Sequence, residues 1–313
     1  MKKDKPILTD SHNRAHAYLR ISLIERCNLR CTYCMPEAGV PLSPRSHLMT
    51  YEEIYSIAKT FVDHGVTKIR LTGGEPLIRK DIPIILEKLA SLPVELSITS
   101  NAVIIDKFID TLKLNGVKSI NVSLDSLDRE KFKEITRRDE FEKVYQNILL
   151  LVAEGFRVKI NAVLIKGFND NEIIDFINFT KDLPICIRFI EFMPFDGNKW
   201  DMQKMVSYKE VMDIVNAGFD EKYVERLQDA PNDTSKNYKI KGYKGSFAII
   251  SSVTNPFCDS CNRLRLTANG QLKNCLFSAT ESDLLTTLRE GKSIEPAIQK
   301  AVAAKFKIRG GMD

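Results

Sequence analysis

Six of the seven cysteines in this 313-residue chain fall into two groups of three. Cys27, Cys31 and Cys34 are spaced C-x3-C-x2-C, with Tyr33 just before the last of them. Cys258, Cys261 and Cys275 are spaced C-x2-C-x13-C, and Cys186 stands alone. Three thiolates held together suit a soft metal centre, either zinc or an iron-sulfur cluster. Because a cluster usually takes four cysteines, a set of three leaves one iron without a protein ligand and free to bind a small molecule. Structural zinc is the alternative for the first group, although zinc sites usually pair C-x2-C knuckles. The second group has no histidine near it: His12, His16, His47 and His64 are all far away in sequence. Cys186 could supply a fourth ligand, but it lies inside an expected strand, where a free thiol packs as a small hydrophobe. A further short motif, Gly73-Gly74-Glu75-Pro76, would let backbone approach a ligand closely, or would simply make a turn.

Positioning these groups requires a scaffold, and the apolar pattern supplies one. Runs rich in β-branched residues predict strands over 18–24, 66–72, 94–100, 117–124, 156–164 and 185–192. Segments of helical period lie between them, as in YEEIYSIAKTFVDHG, where Ile54, Ile57, Ala58 and Phe61 share one face and Gly65 marks the stop. Strands alternating with helices imply a parallel sheet, curled toward a barrel by right-handed crossovers. Six such units fall short of the eight that close one. The expectation is therefore an α/β fold, an incomplete (β/α)6 TIM-like barrel over residues 1–200. Residues 201–313 then form an α+β extension that carries the second cysteine group and covers the lateral opening. In such a barrel the loops after the strands form the active face, which is where Cys27, Cys31 and Cys34 fall.

Hydrophobic residues make up 43% of the chain and charged residues 28%, the balance of a globular protein. The net charge of +5 is spread without a basic stripe, which argues against nucleic acid as partner. No apolar run approaches the roughly 20 residues of a membrane span, and MKKDKPILTD does not read as a signal or transit peptide. The expected location is the cytoplasm, where thiols stay reduced and disulfides are not expected.

The CNLRCTYC segment, with an aromatic at Tyr33, resembles the signature of the radical S-adenosylmethionine (SAM) superfamily, and LTGGEPL is similar to its SAM amino-binding loop. The resemblance narrows further. YLRIS, CNLRCTYCMP, KIRLTGGEPL, NVSLD, IRFIEFMPFDGNKW and CNRLRLTANG together resemble the GTP 3′,8-cyclase family across nearly the whole chain. That resemblance implies two 4Fe-4S clusters, each on three cysteines. At the first, SAM would sit on the open iron and release a 5′-deoxyadenosyl radical; the protein's task is then to position what the cofactors react. It implies SAM contacts at Tyr33, Gly73, Gly74, Glu75, Ser123 and Met193. At the second cluster the open iron would meet the guanine of GTP. Arg20, Lys68, Arg70, Thr99, Asn101, Lys159, Arg188, Arg263, Leu264 and Arg265 match positions around the nucleotide, and Arg and Lys are the natural partners of a triphosphate.

The implied reaction removes hydrogen from the ribose 3′ carbon, joins that carbon to C8 of guanine, and finishes with one electron and one proton. No general base is required. Implied partners are GTP, an electron donor, the next enzyme of molybdopterin synthesis (cyclic pyranopterin monophosphate synthase) by product transfer, and a second copy in a homodimer; no membrane is involved. The family ends in two glycines that reach the active site and assist radical initiation, so Gly310 and Gly311 are the catalytic candidates. Here Met312 and Asp313 follow them, and the tail is expected to enter nonetheless. Two other readings stay open: a peptide-modifying radical-SAM maturase, whose extensions generally hold more cysteines, and a non-catalytic zinc or electron-transfer protein.

Overall fold

The computed structural model describes residues 8–35, 39, 42–194 and 200–311. The chain begins β1 (Tyr18–Ser22), α1 (Tyr51–Asp63), β2 (Lys68–Thr72), α2 (Ile82–Ala90), β3 (Glu95–Ser100), α3 (Ile109–Leu114) and β4 (Ser119–Ser123). It continues with α4 (Arg129–Thr136), α5 (Phe141–Ala153), β5 (Arg157–Leu164), α6 (Ile173–Asn178) and β6 (Cys186–Glu191). The last third contributes α7 (Tyr208–Gly218), β7 (Val224–Arg226), β8 (Lys236–Ile240), β9 (Ser246–Ile250), β10 (Arg263–Leu266), β11 (Gln271–Lys273), β12 (Ser282–Asp283), α8 (Leu284–Arg289) and α9 (Glu295–Ala303).

One mixed sheet runs β12-β11-β10-β1-β2-β3-β4-β5-β6-β9-β8-β7. Strands β1 to β6 lie in sequence order and parallel, each joined to the next through at least one helix. The last third flanks both edges of this set: β9 pairs parallel with β6, and β10 pairs parallel with β1. Eight neighbouring strands therefore run the same way, two more than the sequence pattern suggests, and antiparallel strands finish both sides.

Alternation along each strand divides the sheet into two chemistries. Leu19, Ile21, Ile69, Leu71, Ile98, Ile120, Ile160, Ile187, Phe189, Phe247 and Leu264 are fully buried in one hydrophobic core. The interleaved positions are polar: Tyr18 and Arg20 in β1, Lys68 and Arg70 in β2, Asn121 and Ser123 in β4, Lys159 and Asn161 in β5, Arg188 in β6, Arg263 and Arg265 in β10. Helix α1 shows how the apolar side is closed. Thr50 and Glu53 form a reciprocal capping box, and Ile54, Ile57, Ala58, Phe61 and Val62 are buried.

Before β1 the chain makes a small hairpin, bridged Thr9 to Ala15, with Asn13 at φ 61° in its turn. Asp10 inside it accepts from the backbone N–H of His12 and Arg14 and from the Arg14 guanidinium. Burial pulls against ionisation of this carboxyl, but those donors outweigh it and hold it at about 2. His16, fully buried, places Nε2 3.1 Å from Asp10 Oδ2. Burial, reinforced by the charge of Lys305, depresses His16 to about 4. An unfolded histidine titrates near 6.5, so between those values the unfolded chain takes up a proton that the folded chain refuses. Stability is accordingly full above about pH 6.5 and falls by up to about 3 kcal/mol as the pH drops to 4. Denaturant titrations of wild type and His16→Gln across that window should show the slope in the first and its loss in the second.

Candidate active site between two cysteine groups

Parallel register places the two cysteine groups at opposite ends of the same strands. Cys27, Cys31 and Cys34 follow the C-terminal end of β1. Cys258 and Cys261 precede the N-terminal end of β10, which runs parallel to β1. Strand β11 returns antiparallel, pairing Lys273 with Arg265, so Cys275 comes back to the Cys258–Cys261 end.

At the first group, Cys34 N–H donates to the Cys31 carbonyl, and Leu29 N–H and Asn101 Nδ2 approach the Cys27 sulfur at 3.4 and 3.6 Å. Burial raises all three thiols; Asp125 raises Cys31 and Cys34 further, and Cys31 and Cys34 are also pushed up by neighbouring cysteines of the group. Three mutually repelling thiolates, two of them packed against the core, are costly alone and are relieved by a cationic centre, so this donor set fits a metal cluster. Among the described residues no three His, Cys, Asp or Glu side chains converge as ligands of a single ion; the cysteines of an iron-sulfur cluster bind separate irons. Tyr33 donates to Asp125 Oδ2 at 2.8 Å, and Asp125 Oδ1 accepts from Val163 N–H, which anchors the cysteine loop to β5.

The glycine loop approaches the chain's own backbone. Gly74 N–H donates to the Ile24 carbonyl at 2.7 Å and Glu75 N–H to the Arg26 carbonyl at 2.8 Å. A Cβ on Gly74 would stand 2.0 Å from the Arg26 carbonyl oxygen. This segment leads straight into Cys27, so the loop sets the height of the cysteines. Glu75 is buried and accepts from Asn101 N–H, Ser100 Oγ and Leu77 N–H at 2.7 to 3.1 Å, with burial pushing its carboxyl up to about 7. All of these partners belong to the protein. Gly74→Ala is expected to cost about 3 kcal/mol or more, since a backbone oxygen cannot step aside. A fall in melting temperature together with loss of iron from the first site would confirm it. Ser123 ends β4 and Met193 follows β6, so both stand at the same strand ends as Cys27.

Between the two groups lies a cationic interior. Arg265, Arg20 and Arg70 occupy one rung across β10, β1 and β2. Lys159 pairs in register with Asn121, and Arg188 with Asn161. Burial lowers Arg20 to about 9, with Arg265 the next cause, and lowers Arg188 to about 10. Lys159 and Arg265 are lowered as well, again first by burial. Arg20 Nε, Arg188 Nε, Arg263 Nη1 and the Oδ1 atoms of Asn121 and Asn161 are buried without a protein partner. Buried donors left unmatched beside like charges describe a space shaped for a polyanion. A cleft of about 320 Å³ opens at the starts of β5, β6 and β9, lined by Arg157, Lys159, Cys186, Lys239, Lys244 and Ser246 among others.

Several expected substrate residues also contact other parts of the chain. Leu264 is fully buried in the hydrophobic core, on the face opposite Arg263 and Arg265, so its side chain does not reach this interior. Asn101 turns to the first cysteine group, donating to Asn28 Oδ1 at 2.7 Å. Lys68 pairs with Glu95 at 3.0 Å and lies over the Tyr18 ring. Thr99 Oγ1 stands 3.5 Å from Arg70 Nη1, and Arg70 also donates to the Tyr18 hydroxyl. Arg263 donates to the Asn232 carbonyl and lies over the rings of Tyr18 and Phe257. Gly310 has φ 66° and packs on the backbone of Phe277 and Ser278, while Arg309 N–H points at the Cys258 sulfur at 3.4 Å. The described tail, including Gly311, thus lies beside the second cysteine group; Met312 and Asp313 lie outside the described residues.

Sequence reasoning missed Tyr18, Asn121, Asn161 and Lys305. The first three were available from strand alternation, since they share a face with Arg20 and Lys159. Lys305 was not: just past the end of α9 it is buried and donates to the Arg263 carbonyl at 2.8 Å and the Cys261 sulfur at 3.5 Å. Burial pushes the Cys261 thiol up, but Lys305, together with the Arg263 N–H and charge, outweighs it and lowers the thiol.

Residues 21–180 match the family described as the radical SAM superfamily, and residues 185–310 match the family described as Molybdenum Cofactor Synthesis C. A GTP 3′,8-cyclase of Listeria welshimeri is 42% identical, covering 96% of this chain and 91% of that protein. The mitochondrial GTP 3′,8-cyclase of Arabidopsis thaliana is 48% identical, covering 97% of this chain and 79% of its own length. Molybdenum cofactor biosynthesis protein 1 of Drosophila melanogaster is 46% identical over 97% of this chain but only 54% of itself. The chain spans about half the length of the animal relatives it matches. Streptococcus suis SuiB bound to S-adenosylmethionine superposes with a TM-score of 0.66 over 95% of this chain and 70% of that one. Native anSMEcpe with bound AdoMet gives 0.60 over 91% and 83%. At 18% and 16% identity these two carry the fold alone.

Proposed function

Because the chain belongs to the radical SAM superfamily and, within it, to the GTP 3′,8-cyclase family, we propose that it converts GTP into (8S)-3′,8-cyclo-7,8-dihydroguanosine 5′-triphosphate, the first step of molybdenum cofactor biosynthesis. The observation that carries this reading is the cationic interior with unmatched buried donors lying between two cysteine triads at opposite strand ends. Cys27, Cys31 and Cys34 would hold a 4Fe-4S cluster with SAM, and Cys258, Cys261 and Cys275 a second such cluster facing the purine. When bound, these groups supply a 5′-deoxyadenosyl radical at one end and an open iron for guanine at the other.

The chain's own residues bind and orient. Arg20, Arg70, Lys159, Arg188, Arg263 and Arg265 hold the triphosphate, with Lys68 at the edge, and fix the ribose 3′ carbon toward the first group. Tyr33, Gly73, Gly74, Glu75, Ser123 and Met193 frame the SAM end. The strands β1 to β6 form the partial barrel, and residues 201–313 close its side and keep water from the radical. Gly310 and Gly311 bring the tail to the second group. An external one-electron donor, transfer of product to cyclic pyranopterin monophosphate synthase, a homodimer and a cytoplasmic setting complete the reading; no described helix is long and apolar enough to cross a membrane. Anaerobic reconstitution with GTP, SAM and a reductant, followed by mass analysis of the nucleotide, tests it. A nucleotide of the same mass as GTP that separates from it by chromatography and forms alongside 5′-deoxyadenosine supports the reading, and unchanged GTP beside 5′-deoxyadenosine sinks it.

A further inference from the structure

We propose that Arg14 is a positioning residue that fastens the tail and the second cysteine turn to one another, so that the two are held or released together. The inference rests on the proposed cyclase function for its consequence, and on hydrogen bonds alone for its geometry.

Arg14 is buried and spends its guanidinium on three separate parts of the chain. Nε donates to Asp10 Oδ2 at 2.6 Å, which holds the fork rigid within the hairpin. Nη1 donates to the carbonyls of Cys258 and Lys307, each at 2.8 Å. Nη2 donates to the Phe306 carbonyl at 2.7 Å. The Cys258 carbonyl is also the acceptor that closes the C-x2-C turn, taking the Cys261 N–H at 3.1 Å. Arg14 thus grips the atom that sets the spacing of two cysteines. Its other hand grips the two peptide units just before the tail.

The tail returns the contact. Two residues past Lys307, Arg309 N–H points at the Cys258 sulfur, and the backbone there is left-handed at Arg309, Gly310 and Gly311, with φ of 37°, 66° and 88°. A non-glycine residue such as Arg309 adopts that region at a cost and keeps it only where its surroundings impose it. The bonds to Phe306 and Lys307 fix the chain leading into this segment, beside the Arg309 N–H contact with Cys258 and the Gly311 N–H bond to the Ile308 carbonyl. A planar fork delivers several donors in fixed directions, which a lysine ammonium cannot reproduce.

The test uses the anaerobically reconstituted holoenzyme with Arg14→Ala and Arg14→Lys. Amide exchange at residues 305–311 should speed up at least tenfold in Arg14→Ala, with β1 to β6 unchanged. The electron paramagnetic resonance signal of the second cluster should shift or weaken while that of the first stays as in wild type. For GTP, kcat should fall at least tenfold with KM for SAM unchanged, and Arg14→Lys should recover part of each effect. Wild-type exchange at 305–311 in Arg14→Ala would overturn the proposal. So would faster exchange throughout the sheet in both variants, which would make Arg14 a general stabiliser. If no preparation cyclises GTP, the functional reading fails, while exchange and spectra still judge the clamp.

Discussion

Replacing Cys34 with alanine is expected to abolish reductive SAM cleavage, lowering 5′-deoxyadenosine formation roughly a thousandfold or more, to the assay background, which is at least about 4 kcal/mol at the transition state. Three sulfurs hold the first centre, and none of the described neighbours offers a substitute. Cys34 is the cleanest of the three to remove. Cys27 and Cys31 pack against the hydrophobic core, whereas Cys34 is exposed. Losing its sulfur removes a ligand without opening a cavity. Melting temperature and GTP binding should therefore remain close to wild type, and iron analysis should show loss confined to the first site. Retained SAM cleavage by Cys34→Ala would remove the first cysteine group from the chemistry.

The parts of the fold visible in sequence are those where alternation was undisturbed. Strand β5, RVKINAVL, reads as buried at every second residue and is so in the structure. β10 escaped because its alternate positions are arginines, which look like solvated charge unless the interior is known to be cationic. Leu264, between two of those arginines, turns its side chain the other way, into the hydrophobic core. The glycines at 73 and 74 read as letting backbone approach a ligand, and the close approach in the structure is to the chain's own Ile24–Arg26 backbone. Asn101 directly follows β3, two residues beyond Thr99, and only the chain turn there swings it toward Cys27. Contacts such as Arg14 to Cys258 join residues 244 apart and leave no periodic trace. Pattern reveals which face a residue shares, and tertiary closure decides which distant loop it meets.

The same cationic interior sets up the second large effect, in Arg20→Met. Arg20 is held among Arg265, Arg70 and Arg263, and its Nε is buried without a partner. Without an anion these charges repel and are poorly solvated, so the free protein carries a cost that a bound triphosphate removes. Methionine keeps the apolar stem as far as the Nε position, removes the charge and leaves no orphaned donor. The free variant should therefore melt at or slightly above the wild-type temperature, the trade expected where stability is given up for binding. Binding should move the opposite way. A charge-assisted bond to phosphate contributes on the order of 1.5–3 kcal/mol, so GTP affinity should fall by about a hundredfold. At a GTP concentration a hundred times the wild-type Kd, ligand stabilisation should drop from about 2.7 kcal/mol to about 0.4 kcal/mol. Calorimetric melts with and without GTP read both quantities from one sample. If Arg20→Met melts well below wild type without nucleotide, Arg20 is a structural group. If it keeps the full GTP-induced shift, the triphosphate lies elsewhere.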